Sequence, residues 1–335
     1  NGVGIYGENS NITNTGNMNL SGEGSVGLNI AGDGKLLSNT GNLTVDNGIG
    51  IKVSNSKIEA GQNTGAITVS GESGAGIVGI NSKIINNGKI YVNDMALGIY
   101  SSNSEVTSAG EIEITEGTGI GAETGSKITN EASIEISGSG TGIKSAGSII
   151  ANKNTGEISV VKGTNIEASD SLVTNNAVLS NKDGIGILGR NTEIINNGNL
   201  QIEKGTGISA LSNSLLTNSA EINVTTEGTG IKASNSEINN NSNGTITVTK
   251  GVNIDLSESV LENAALLSNS DGIGIKADNS TVKNTGNIDI TNGTAIEALN
   301  NSSILNTAYL KSGNTGINTI NSIILNEGKI DAAET

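Results

Sequence analysis

Apolar residues along this chain fall in short alternating runs, with no helical spacing sustained over ten residues. Typical runs are GTGIKA at 228–233, SEINN at 236–240 and TITV at 245–248. Within each, apolar and polar positions alternate, which is the period of a strand with one buried face. Gly, Asn, Ser and Thr separate the runs and supply turn chemistry. The set of three then recurs. The residue after the glycine pair serves as an anchor and returns at Ile5, Leu28, Ile51, Ile77, Ile99, Ile120, Ile143, Ile166, Ile187, Ile208, Ile231, Ile254, Ile275, Ile296 and Ile317. Spacings of 21 to 26 residues give 15 copies with a mean period near 22. Three short strands per copy, without helices, predict an all-β chain: a parallel β-helix, or β-solenoid, of about 15 coils. The crossover rule for parallel strands makes it right-handed.

Stacking such coils about 4.8 Å apart turns equivalent residues into columns. The anchors form one apolar column. Ile12, Leu37, Ile58, Ile84, Val106, Ile128 and Ile150 begin a second. Pairs such as Ile67/Val69, Ile90/Val92 and Ile246/Val248 supply a third and fourth. Two polar columns are equally regular. Ser or Thr lies two residues before the second-column residue in 14 of 15 coils, Lys35 being the exception. Asn lies two residues after it in 13 of 15: Asn14, Asn39, Asn86, Asn130, Asn152, Asn175, Asn196, Asn218, Asn240, Asn263, Asn284, Asn306 and Asn326. Ala60 and Ser108 break that series. Alternation points these side chains inward, where stacked amides can donate and accept along the axis. A buried Asn without such a partner costs roughly 1–3 kcal/mol.

A longer period overlies the coil. Residues 99–186 align on 187–274 without a gap, with 41 identities in 88 positions, so a four-coil unit has been duplicated. Solenoids tolerate this because each coil touches only its neighbours. The pattern predicts one continuous β-helix over 1–335.

Composition narrows the chemistry. The chain has 335 residues, no Cys, His, Pro, Trp or Phe, and four tyrosines. The core must be filled by Ile, Val, Leu and Ala. A net charge of −15 argues against nucleic acid, whose binding rests on Lys and Arg. It also argues against an anionic lipid surface, and no apolar run is long enough to insert in a membrane. Gly272-Ile273-Gly274 suggests a phosphate loop in isolation, but the motif recurs around the anchors and opens no helix, so no cofactor is expected. Gly precedes the anchor directly in 12 of 15 coils, with Asn165, Asn253 and Ala295 as exceptions. Asn in place of Gly suggests a left-handed backbone there; a requirement for a flat face is the second explanation.

Hydrolysis on a β-helix needs paired carboxylates on one short face. Asp and Glu here are scattered, and Glu111, Glu113 and Glu116 read as a solvated row. Gly32-Asp33-Gly34 is a single echo of a calcium-binding repeat, so no metal site is expected. Tyr6, Tyr91 and Tyr100 face outward by alternation, and Tyr91 with Tyr100 is the candidate binding patch. Arg190 reads as a solvated turn residue.

Copies such as GIKASNSEINNNSNGTITV (230–248) and GIGIKADNSTVKNTGNIDITNGTAI (272–296) resemble the passenger domains of large type V autotransporter adhesins, most closely fusobacterial ones. The resemblance covers the whole chain through its GxGI, NSxI and NxG repeats. It implies a monomeric, right-handed β-helical passenger segment exported across the outer membrane and displayed on a bacterial surface. Its partners would be a host-cell protein or glycan, or other bacteria. A chain without Cys agrees with such export. The resemblance makes the chain an internal passenger segment, without the family's translocator barrel. A carbohydrate-active β-helix enzyme and a two-partner-secreted exoprotein are the alternatives.

Overall fold

The computed structural model describes residues 2–56 and 59–333, with nothing said of the side chains of 59–61. All regular structure among them is strand, and the pairings are parallel, each coil on the next. The chain is a β-solenoid. It divides into two compact units, Asn1–Ser171 and Leu172–Thr335.

In the first unit the three runs are separate strands through the early coils. Leu97–Ser102, Glu105–Ser108 and Ile112–Ile114 make one such coil. First and third runs join one sheet and second runs form another. From Ile134 onward a third run continues into the next first run as one long strand, Ile134–Ala146 and Ile158–Ser169. The second unit keeps this form as far as Leu299, alternating long strands such as Leu200–Leu211 with four-residue strands such as Leu215–Asn218, and then returns to separate runs, Leu310–Ser312 and Thr315–Ile320.

The joint inside each long strand is a glycine three residues before the anchor. Gly205 has φ 125° and Gly251 φ 124°. A Cβ there is strained, and it would also overlap the carbonyl oxygen of the glycine one coil back. The glycine directly before the anchor is different. It has no left-handed backbone, and neither do Asn165, Asn253 and Ala295 at the same place. This corrects the left-handed reading of that column. What disfavours a side chain at the glycines of this column is space: a Cβ on Gly50, Gly76 or Gly186 would lie 2.6 Å from the next coil's carbonyl oxygen, a closeness that the backbone must relieve where Asn165, Asn253 and Ala295 stand.

The interior is a set of columns in strict register. Ile187 lies against Ile208, Ile208 against Ile231, and Ile231 against Ile254, all fully buried. The second apolar column needs one correction. Leu36, not Leu37, is opposite Ile12; Leu36 is fully buried while Leu37 is 50% exposed. A bulge between the two coils absorbs the extra residue and restores the alternation at Asn39. Ile58 lies outside the described residues.

The corner between first and second runs is made by a residue in the left-handed region. Asn55, Asn81, Asn103, Asn191, Asn235 and Asn279 have φ between 47° and 58°. Asn tolerates this conformation better than other residues bearing a side chain.

Candidate functional site

Three sets of side chains repeat with enough regularity to define what the solenoid can do. The first is the interior amide ladder. In the first unit Asn14 Nδ2 donates to Asn39 Oδ1 (2.7 Å), Asn39 to Asn63 (2.7 Å) and Asn63 to Asn86 (2.9 Å). Asn130 donates to Asn152 (2.9 Å). In the second unit bonds of 2.7–2.9 Å run through Asn175, Asn196, Asn218, Asn240, Asn263, Asn284, Asn306 and Asn326. Every donation points toward the C-terminal coil. Most of these amides donate a second time, to the carbonyl two residues on, as Asn218 does to Ala220. Each such amide is thus pinned between its own turn and the next coil.

The expected break at Ala60 is not a break. Coil 51–76 carries extra residues, and a register shift lets Asn63 take the rung between Asn39 and Asn86. Ser108 is a true gap. It stands in register between Asn86 and Asn130, but its hydroxyl reaches only Gly110 O at 3.5 Å. Asn130 Oδ1 is consequently buried with no hydrogen-bond partner.

The hydroxyl column works through the backbone. Thr192 N–H donates to Ser214 Oγ (3.1 Å), and the same step repeats from Ser214 to Ser236, Ser236 to Ser259 and Ser259 to Ser280. Each hydroxyl donates in turn to a carbonyl two or three residues before it. The column therefore satisfies the corner's buried polar groups.

The third set is outside, and it corrects the reading of the acids as scattered. Neighbouring coils place opposite charges in register: Glu105 on Lys127, Lys144 on Glu167, Asp183 on Lys204, Lys204 on Glu227, and Lys250 on Asp271. One further column reads Lys232, Asp255, Lys276, Glu297. Several pairs are close enough for ion pairing, Glu262 with Lys283 at 3.3 Å and Asp289 with Lys311 at 3.1 Å. Among the described register pairs inside the two units, Glu113 on Glu135 is the one that brings like charges together. Tyr91 is the next rung below Glu113. These three line a shallow hollow of about 180 Å³ together with Asn93, Thr115 and Ser137. Lys89 sits at its margin, paired with Glu111 and 3.7 Å from Glu113. Chemically, an aromatic face below two stacked carboxylates suits a cationic group.

The tyrosines do not share one environment. Tyr91 lies between Thr68 and Glu113 on a third run, and Tyr100 between Val78 and Gly121 on a first run. The Tyr100 hydroxyl is committed to Glu123 (2.8 Å), and that bond raises its pKa above the ordinary phenol value. Tyr6 makes the same kind of bond to Glu8 (2.9 Å), with the same upward shift. Arg190 ends its long strand with an exposed side chain. Among the described residues no group of three or more Asp or Glu is placed to hold a metal ion.

Two features escaped the sequence reading. The corner asparagines form an exposed ladder of their own, Asn81 to Asn55 (2.8 Å), Asn103 to Asn81 (2.8 Å) and Asn235 to Asn213 (2.9 Å), which runs the opposite way. Its signal was Asn directly before the column hydroxyl. The second is an interior pair. Asn253 stands in the glycine column, and Asn269 in the next coil interrupts an apolar column; Asn269 Nδ2 donates to Asn253 Oδ1 at 3.1 Å. Both are buried. Their signal was two exceptions sixteen residues apart.

No protein-family model matches this chain, and neither a curated protein nor a solved structure is significantly similar to it.

Proposed function

We propose that this chain is a segment of an exported, cell-surface passenger of the autotransporter kind, acting as an adhesin or as the rigid stalk of one. The observation that carries the reading is the even distribution of its chemistry. Each unit repeats one coil whose interior polar groups are largely satisfied by the next coil, and much of its exterior is short polar side chains and charges of opposite sign in register. That construction suits an element that spans distance and presents surface. Catalysis is no part of this reading. The hollow at Tyr91, Glu113 and Glu135 is the point among the described register pairs inside the two units where like charges are stacked. Contact with a host-cell or bacterial partner through a basic group would be made there.

The test is binding of the purified chain to host cells, bacterial cells and glycan arrays. Binding reduced about tenfold by Tyr91→Ala or Glu135→Gln supports contact at the hollow. Binding unaffected by either moves the contact elsewhere, and no binding to any surface assigns this segment to stalk. Cleavage of a polysaccharide, abolished by replacing a carboxylate, would overturn the reading in favour of an enzyme.

A further inference from the structure

Outside the Asn253–Asn269 pair, the interior columns of the second unit do little to tell one coil from the next. Ile208 meets Ile231, but Ile254 two coils on would fill the same place. The amide ladder is equally degenerate, since Asn196, Asn218 and Asn240 offer the same groups in the same positions. Chain entropy adds little discrimination. Pairing a coil with the one after next doubles the closed loop from about 22 to about 44 residues, which costs only about threefold in the closure equilibrium. A folding chain with these columns alone would often skip a coil.

The exterior charges do discriminate. Asp183, Lys204, Glu227, Lys250 and Asp271 occupy the same outward position in five successive coils, and all are exposed. Their signs alternate with a period of two coils. In the native register Asp183 on Lys204, Lys204 on Glu227 and Lys250 on Asp271 are opposite in sign, and so are Glu227 and Lys250, which directly precede the paired Gly228 and Gly251 beside a register shift. If one coil is skipped, Asp183 meets Glu227, Lys204 meets Lys250 and Glu227 meets Asp271, all like-charged. The column Lys232, Asp255, Lys276, Glu297 follows the same rule. Cross-strand charge pairs each shift an equilibrium by about one-and-a-half- to fivefold, and like charges oppose by a similar factor. Several pairs together exceed the threefold that chain entropy supplies.

We propose that these alternating columns are a register code, which keeps each coil on its immediate neighbour while residues 172–335 fold. A solenoid of near-identical coils gains from such a code on its outside, because most of its interior columns repeat the same groups from coil to coil.

The chain has no Cys, so introduced pairs report register directly. Gln201, Asn223 and Thr247 stand on three successive rungs of one outward column. Gln201→Cys with Asn223→Cys can close a disulfide in the native register. Gln201→Cys with Thr247→Cys sits two rungs apart, roughly 10 Å, beyond disulfide reach unless the middle coil is skipped. Each pair is placed in the full chain with one of three charge columns and refolded under oxidising conditions. The first column is native. The second carries Lys204→Glu and Glu227→Lys, which keeps net charge but makes skipped neighbours opposite in sign. The third inverts all five signs and so retains the alternation. The second column should raise the yield of the skipped-coil disulfide, between positions 201 and 247, at least threefold over the native column. The third should leave it unchanged. The rise should vanish in about 1 M salt, where the screening length falls to about 3 Å. Equal yields from the native and second columns, a rise in the third, or a rise that survives salt would each overturn the proposal.

Discussion

Replacing Ser108 by Asn should complete the interior amide ladder and stabilise the coils around it. The rung is already in register, with Asn86 on one side and Asn130 on the other. At present Asn86 Nδ2 donates to Gly88 O (2.8 Å), and Asn130 Oδ1 receives nothing. An Asn at 108 would accept from Asn86 and donate to Asn130, as Asn240 accepts from Asn218 and donates to Asn263, both at 2.8 Å. Relieving one buried unsatisfied acceptor is worth about 1–3 kcal/mol, against which stands the ordering of one added side chain. The net expectation is about 1–2 kcal/mol of local stabilisation. Solenoid stability is built from neighbouring coils, so the gain should be read locally. Amide hydrogen exchange at Val106 and Ile128 should slow by about five- to thirtyfold. The mirror experiment is Asn240→Ser, which makes the same gap in an intact stretch and should speed exchange at Ile238 and Leu261 by a similar factor. If Ser108→Asn leaves exchange unchanged or faster while Asn240→Ser behaves as expected, Asn130 is not short of a partner and the reasoning fails.

Three further expectations follow from the same geometry. Gly205→Ala should destabilise its coil by at least about 2 kcal/mol, since it adds a left-handed penalty to a backbone overlap; urea denaturation followed by circular dichroism reads this. Asn269→Val should destabilise, because it leaves Asn253 Oδ1 without the donor it has now, and adding Asn253→Gly should recover about 1–3 kcal/mol of that loss in a double-mutant cycle. The Tyr100 phenol is held above its ordinary value of 10.0 by its bond to the Glu123 carboxylate. A raised folded value means that the stabilisation is complete below pH 10 and is lost as pH rises through the folded pKa; Glu123→Gln should return Tyr100 toward the ordinary value in a spectrophotometric titration.

The regular parts of this protein were legible because every coil votes on them. An inward position such as Ile231 recurs in each copy, so the alternation, the 22-residue period and the amide and hydroxyl columns could all be read by superposing coils. Irregular coils defeated that method. Leu36 and Leu37 are adjacent and equally apolar, and only the pairing to Ile12 decides which one turns inward. Ala60 stood at the expected spacing, yet Asn63 holds the rung, because a ladder bond outweighs local count. The two glycine columns look alike in sequence, but positive φ occurs only in one, at Gly205 and Gly251 among others, while glycines of the other have a carbonyl about 2.6 Å from where a Cβ would be.

Charge shows the division most clearly. As a string, Asp183, Lys204, Glu227, Lys250 and Asp271 are isolated residues more than twenty positions apart. Stacking pairs Asp183 with Lys204, Lys204 with Glu227 and Lys250 with Asp271, and their signs are ordered. The same stacking puts Glu113 on Glu135 above Tyr91. Periodicity determined the solenoid from sequence alone, because burial depends on the residue's own chemistry and its place in a local alternation. Which exposed groups meet was decided only by the tertiary structure, because that depends on register between coils, to the single residue.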